Sequence, residues 1–339
     1  MTLSSTAPCS VWFAGPGAVE LRQEPPAELG RGDVRVDAIT SAISHGTELL
    51  VLRGQVPDGL ELDLPTLRGG FAFPIKYGYA SVGRVVDAGP DASLAPGQAV
   101  FVHHPHQSSY VVPSSMPIVL PPELDPELGV FLANIETATS IVLDAALRFG
   151  ERVAIFGQGV VGLLVTQLLR RAGASLIVAV EPIAARRDLA LRVGAHLALA
   201  PDEATPSALR DLTDGLGVDV AIEVSGNGAA LQQAIDSLAF GGTAVICSWY
   251  GTKPVSLQLG GGFHRHRPRI VSSQVSTIDG ALQPRWSHAR RLSVALDLLP
   301  RLHLAELISH RLPLERAAEA YALIDRHPEQ TVQVVLTYS

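Results

Sequence analysis

Cysteine is nearly absent from this sequence: Cys9 and Cys247 are the only two in 339 residues. They stand too far apart in the chain for a local cluster, so neither a disulfide framework nor a zinc site built from several thiolates can form. A reducing cytoplasm is the expected compartment. Charge is scarce as well, at 17% of residues, and 33 acidic side chains outnumber 26 basic ones to give −7. Apart from 264-HRHRPR-269 the arginines are scattered, so no stripe of cations exists to neutralise the phosphates of a nucleic acid. No run reaches the roughly 18 apolar residues of a membrane span. The opening residues, MTLSSTAPCSVWFAGPG, have neither the basic flank nor the apolar stretch of a secretory leader. These absences exclude nucleic acid and membrane as expected partners and leave a small molecule.

What is present is apolar: 47% of residues are hydrophobic, enough to bury more than one core. The length favours two domains. Residues 1–125 read as short strands punctuated by Gly and Pro, namely 10–15, 33–40, 81–89, 99–105 and 109–113, an irregular β domain. Near residue 123 the period changes. A helical pattern over 126–149 leads into strand and helix candidates that alternate: 176–181, 184–192, 218–226, 228–239 and 243–249. Such alternation predicts an α/β fold with a parallel sheet covered on both faces. Residues 305–339 hold one more helix and a terminal strand.

Between the strand VAIF and a long amphipathic helix lies GQGVVG, with Gly157, Gly159, Val160, Val161 and Gly162. The first glycine permits the tight turn, the second lets a pyrophosphate approach the backbone, and the third lets helix and strand pack closely. The helix N-terminus then faces the anion. Alone this pattern is weak, but Glu181 closes the next strand, where a carboxylate accepts hydrogen bonds from the ribose hydroxyls. A carboxylate there repels a 2′-phosphate, so NAD is expected over NADP. Arg186 and Arg187 keep NADP open. Ser225 and Gly226, at the carboxyl end of a later strand, belong to the same cofactor crevice.

Stretches including 78-GYASVGRVVDAG-89, 218-VDVAIEVSGNG-228 and 308-ISHRLPLERAAEAY-321 are similar to the medium-chain dehydrogenase/reductase superfamily over essentially the full length. The resemblance implies a β-rich, GroES-like catalytic domain over 1–125 and 300–339. It implies a Rossmann, doubly wound parallel-sheet NAD(P)-binding domain over 126–299. Zinc-containing members carry Cys, Gly-His-Glu, and a later Cys or Glu as metal ligands. Here the Cys position falls on Ser44, the His on Tyr79 and the following Glu on Ala80, leaving only Glu136, so no zinc is expected. The four-cysteine structural-zinc lobe is missing too. Gln333 stands where many members place a basic residue on the pyrophosphate. The branch most resembled, through SHGTELLVLRGQVP and GYASVGRV, is the zinc-less one that includes bacteriochlorophyllide dehydrogenase.

Without a metal, a positioned side chain must handle the hydroxyl proton as hydride moves. Thr47 occupies the family's relay-hydroxyl position, while the relay histidine falls on Leu50. His45 titrates near neutrality and is either a base or a histidine that only bonds its loop. His106, then His104, lies in the segment that lines the family's substrate pocket, with a surface cluster as the alternative. Glu48 and Glu136 could orient a histidine or hold a proton, or be structural. Tyr79 could donate to a carbonyl or serve as pocket wall. The expected activity is hydride transfer between NAD(H) and a secondary alcohol or ketone. The alternatives are an enoyl or quinone reductase, and a nucleotide-binding protein without catalysis. A homodimer is expected, paired through 243–259.

Overall fold

The computed structural model describes residues 7–338 except 63, 65, 68, 203 and 204. Residues 1–6, part of the segment inspected for a leader, lie outside that range. Cys9–Gly15 (β1) and Ala18–Gln23 (β2) form an antiparallel hairpin. Asp33–Ala42 (β3) follows, with Val34, Val36 and Ala38 alternating inward as a half-buried strand requires. The short helix Thr47–Leu52 (α1) leads to Ser81–Ala88 (β4), Ala99–Val102 (β5), Ser109–Pro113 (β6) and Ile118–Val119 (β7).

A 3-10 turn, Pro126–Phe131, opens the long helical stretch that continues as Leu132–Ala145 (α2). By length and composition the window Pro126–Ala145 is apolar enough to cross a bilayer, with mean hydropathy 1.3, contrary to the reading that none is. It is 67% buried within the fold and carries the charge of Glu136, which suits a core helix.

Then come Arg152–Phe156 (β8), Val160–Ala172 (α3), Leu176–Val180 (β9), Ala184–Val193 (α4), Leu197–Leu199 (β10) and Thr205–Asp211 (α5). Val218–Glu223 (β11), Gly228–Asp236 (α6), Leu238–Ile246 (β12), Gly262–His266 (α7), Arg269–Ser272 (β13) and His288–Leu298 (α8) complete this region. The chain ends its described course with Ile308–Pro313 (β14), Ala317–Arg326 (α9) and Gln333–Thr337 (β15).

The chain divides into two compact units, Met1–Ala133 with Leu304–Ser339, and Asn134–His303. The first boundary falls after the 3-10 turn and not at 125, because that turn packs on β3, β4 and β5. Gly129 lets it approach: a Cβ there would lie 2.5 Å from Leu120.

In the first unit the sheet runs β14-β15-β3-β4-β5-β7, with β6 also paired to β3. Its core gathers Val34, Val36, Val85, Val100, Tyr110 and Val112. In the second unit six parallel strands run β10-β9-β8-β11-β12-β13. Numbered within that unit, the order is 3-2-1-4-5-6, the doubly wound arrangement, whose order reverses between β8 and β11. The buried strands read as continuous apolar runs because helices cover both faces. Of the segment 243–259 expected to pair protomers, residues 243–246 lie in β12. β12 is paired on both sides, to β11 and β13, and the unpaired edge on that side belongs to β13.

Candidate active site

In the first unit, β3 ends at Ala42 and the chain turns through Ser44 and His45 into α1. The turn is locked reciprocally: the Ser44 N–H donates to Glu48 Oε1 at 2.8 Å, and the Glu48 N–H donates to the Ser44 carbonyl at 3.0 Å. Tyr79, half-buried just before β4, donates its hydroxyl to Ser44 Oγ at 2.7 Å. The Thr47 side chain lies nearby. Three hydroxyls from two segments therefore meet. Burial pushes the Tyr79 phenol above its ordinary value, the Ser44 bond pulls it down, the nearby Glu48 charge adds to the rise, and the Thr47 side chain also draws the value down. The phenol keeps its proton at neutral pH. His45 sits half-buried on the same turn.

Glu48 is fully buried, which is costly for a carboxylate unless donors surround it. They do. Besides the Ser44 amide, Tyr321 donates to Glu48 Oε2, and His106 Nε2 lies 3.0 Å from the same oxygen. Burial and the Glu48 charge hold Tyr321 well above the ordinary phenol range, so it is the donor of that pair. His106 Nε2 donates to the Glu48 carboxylate, and its Nδ1 lies 2.6 Å from Ser41 Oγ. Ser41 Oγ in turn lies 2.7 Å from the Tyr338 hydroxyl. This chain joins β3, α1, α9 and the residue after β15.

Other expected residues are placed differently. His106 is wholly enclosed in that network and not on a pocket surface. His104 stacks on Tyr110 at 3.7 Å, and burial lowers it to about 3, so it is a neutral core ring. His103 Nδ1 lies 3.2 Å from the Tyr79 carbonyl oxygen, at the back of the hydroxyl cluster. Gln333 is buried, with its amide donating to the Ile43 and Val334 carbonyls at 2.9 and 2.8 Å, so both amide hydrogens are committed inside the first unit. In the second unit Glu136 is also committed: Arg291 Nε donates to its Oε1 at 3.2 Å, and Arg291 reaches Ser140 and the Val275 carbonyl as well. The expected orienting or proton-holding carboxylate is half of a buried ion pair, because an enclosed guanidinium needs that acceptor.

The glycine loop is built as a dinucleotide cradle. Gly157 has φ +103°, and its N–H donates to the Val180 carbonyl at 2.9 Å. A Cβ on Gly162 would lie 2.1 Å from the Gly157 carbonyl oxygen, whereas one on Gly159 would meet nothing within 4 Å, so the loop is open where a pyrophosphate would approach. Val160 and Val161 begin α3. Glu181 accepts from the Gln158 and Ile183 N–H groups at 2.7 and 3.0 Å, tying β9 to the loop. Burial lowers the half-buried Arg186 guanidinium, with Glu181 opposing that shift, while Arg187 bonds the Glu181 and Pro182 carbonyls at 2.7 Å. Arg187 thus braces the backbone beyond β9.

Across the switch point, a Cβ on Gly157 would lie 3.0 Å from Ser225, so the two loops abut. Sequence reasoning missed their organiser. Glu223, fully buried, accepts from the Ser225 N–H at 2.6 Å, the Ser225 hydroxyl at 2.7 Å and the Gly226 N–H at 2.9 Å, and from Tyr250 through its other oxygen at 2.8 Å. The signal was present in VDVAIEVSG, where one carboxylate ends an apolar strand.

A family model described as zinc-binding dehydrogenase matches residues 160–293. A D-guloside 3-dehydrogenase of Escherichia coli (strain K12) is 30% identical over 326 residues, covering 90% of this chain and 93% of that one. The chain belongs to the medium-chain dehydrogenase/reductase superfamily. A second relative, the 2-desacetyl-2-hydroxyethyl bacteriochlorophyllide A dehydrogenase of Rhodobacter capsulatus, is 31% identical over 336 residues, covering 94% and 95%. The fold agrees with a crystal structure of a putative zinc-binding dehydrogenase from Sinorhizobium meliloti 1021 bound to NADP. Its TM-score is 0.78 at 22% identity, with 98% of this chain and 100% of that one covered.

Membership makes the chain an oxidoreductase of the alcohol dehydrogenase-like type. The positions that the resemblance aligns with metal ligands are otherwise engaged here. Zinc takes three N, S or O donors and an open position. Ser44 and Tyr79 here bond each other, Ala80 has no donor atom, and Glu136 is paired to Arg291. Among the described residues no group of three His, Cys, Asp or Glu side chains is arranged to hold a metal ion.

Proposed function

We propose that this medium-chain dehydrogenase/reductase interconverts a secondary alcohol and its ketone by hydride transfer with NAD(H), using the Tyr79–Ser44 hydroxyl pair in place of a metal. The observation that carries the reading is the 2.7 Å hydrogen bond joining these residues at the two positions where the family's resemblance puts the first metal ligands. The relatives acting on a D-guloside and on a hydroxyethyl bacteriochlorophyllide support an alcohol as the substrate class.

NAD(H), when bound, supplies or accepts the hydride at the substrate carbon. The Gly157–Gly162 loop and α3 hold its pyrophosphate, and Glu181 takes the ribose hydroxyls. In the reducing direction Tyr79 donates its proton to the substrate oxygen as the carbonyl carbon gains hydride. The Ser44 and Thr47 hydroxyls stabilise the phenolate left behind, and a proton from solvent restores the phenol. In the oxidising direction the same proton returns to Tyr79. Glu181 favours NAD over NADP, because a buried carboxylate repels a 2′-phosphate.

The test is turnover by the purified full chain with NADH or NADPH on a panel of ketones, enones and quinones, together with metal analysis. Ketone reduction that survives exhaustive chelation supports the reading. Reduction of C=C bonds alone, or stoichiometric zinc whose removal abolishes turnover, sinks it. We further propose a homodimer paired along the β13 edge, which light scattering would check.

A further inference from the structure

We propose that Glu48 and His106 are positioning residues that set the separation of Ser44 and Tyr79, and that His106 acts as a strut between the two segments carrying those hydroxyls. The inference rests on the reading of Tyr79 as proton donor.

The geometry has two arms. On one side, His106 Nε2 meets Glu48 Oε2 at 3.0 Å, and the other carboxylate oxygen holds the Ser44 N–H at 2.8 Å. Ser44 is thus fastened to the imidazole through one side chain. On the other side, the ring lies against Gly78, the residue before Tyr79. A Cβ there would fall 2.7 Å from His106 Cδ2 and 2.9 Å from Nε2, and Gly78 has φ +124°. Only a glycine lets the Tyr79 segment come this close. A single flat ring therefore fixes how near the two segments approach.

The ring itself cannot rotate without loss. Ser41 Oγ holds Nδ1 at 2.6 Å, Tyr338 lies 2.7 Å from that oxygen, and Tyr321 shares the Glu48 oxygen that His106 uses. The Tyr321 ring also stands edge-on to the imidazole, 6.4 Å between centroids. None of these groups has to touch substrate. His106, Glu48 and Ser41 are sealed from solvent, so a direct acid or base role is closed to them, while control of geometry is open.

Positioning has a characteristic cost. Displacing a reacting group by about 1 Å lowers turnover by about a hundredfold while leaving ground-state binding largely intact. In Glu48→Gln the amide group must face a donor, either the Ser44 N–H or the His106–Tyr321 pair, so one arm opens. His106→Leu opens both arms. His106→Gln restores a donor to Glu48 and part of the spacing.

The experiment labels the full chain with tyrosine carrying 13C at the phenolic carbon, assigns the Tyr79 signal by its loss in Tyr79→Phe, and records it at neutral pH in each variant. Circular dichroism verifies folding. Tyr338→Phe, which deletes only the hydroxyl next to Ser41, serves as the mild variant if His106→Leu does not fold. The expected result is a displaced Tyr79 signal in Glu48→Gln, His106→Leu and Tyr338→Phe, moving back toward wild type in His106→Gln. On a ketone turned over by the wild type, kcat should fall about tenfold to a hundredfold with KM within about twofold. An unmoved Tyr79 signal in folded Glu48→Gln and Tyr338→Phe overturns the proposal. Undiminished turnover by Tyr79→Phe overturns instead the proton-donor reading, and the resonance data distinguish the two failures.

Discussion

The Tyr79 hydroxyl donates to Ser44 Oγ at 2.7 Å, and this bond joins two residues that the resemblance aligned with a Cys and a His ligand. At these two positions the proposed reading uses hydroxyls where the resemblance implies metal ligands. The change is chemically coherent, since a phenol supported by a second hydroxyl can donate a proton to a carbonyl oxygen, the task a Lewis acid otherwise eases.

Removing that phenol alone should separate chemistry from binding. Tyr79→Phe is expected to lower ketone reduction by about 10²–10⁴-fold, the usual worth of a positioned acid, with NADH affinity unchanged. Stopped-flow hydride transfer and NADH fluorescence titration measure the two quantities independently. Ser44→Ala should cost less, because the phenol that donates the proton remains and the Thr47 side chain still lies near it.

Gly162→Ala should weaken cofactor retention. Its Cβ would sit 2.1 Å from the Gly157 carbonyl oxygen, so the loop must move away from the position in which it presents the helix N-terminus. NADH affinity is expected to drop at least about tenfold. An affinity equal to wild type by calorimetry would remove the loop from the cofactor site.

The buried Glu136–Arg291 pair makes a stability prediction. Arg291→Met leaves an uncompensated buried carboxylate and should cost about 3–5 kcal/mol. Adding Glu136→Leu to the same chain should recover most of that loss, since two apolar side chains leave no charge behind. Urea unfolding of the single and double variants decides it. Full ketone reduction by a folded Glu136→Gln variant would confirm that this carboxylate stands outside the chemistry.

His104 supplies a pH signature. Its folded value lies near 3 against an ordinary value near 6.5, so between those limits the unfolded chain binds a proton that the folded chain refuses. Stability is fully present above about pH 6.5 and is lost as pH falls toward 3. His104→Phe, which keeps the stack on Tyr110, should reduce the loss between pH 7 and 4.5 by about 2 kcal/mol. Denaturation midpoints at the two pH values test the sign.

Much of the second unit was legible because its signals are local. The glycine loop, Glu181 and the alternating strands lie within short stretches, and each strand's buried run needs no distant partner to be read. The first unit is less legible for the opposite reason. Glu48 and Tyr321 are 273 residues apart, and Ser41 and Tyr338 are 297 apart, so nothing in SHGTE announces that its carboxylate is sealed among a phenol, an imidazole and an amide. His106 and Glu136 were read as chemistry because histidine and glutamate are reactive in general. The structure gives each a buried partner, and a buried partner is invisible in sequence unless it lies nearby. The strands β2, β7, β10, β13 and β14 escaped as well; β7, β10 and β13 are too short to show a period, whereas β2 alternates Val19 and Leu21 with Glu20 and Arg22 and was overlooked.

Strand β15 lies between β14 and β3, and Gln333 on it bonds Ile43 across 290 residues of chain. During synthesis β3 emerges early, pairs with β4 and β6, and keeps its Thr40–Ala42 end open on one side until β15 clears the ribosome. Meanwhile the 134–303 region, continuous in sequence and wound from neighbouring strand–helix units, can fold first. The β14–β15 side of this sheet thus closes only at the end of translation. Ribosome-bound chains stopped before residue 333 should already protect the 134–303 unit from proteolysis while the Thr40–Ala42 end of β3 stays unpaired.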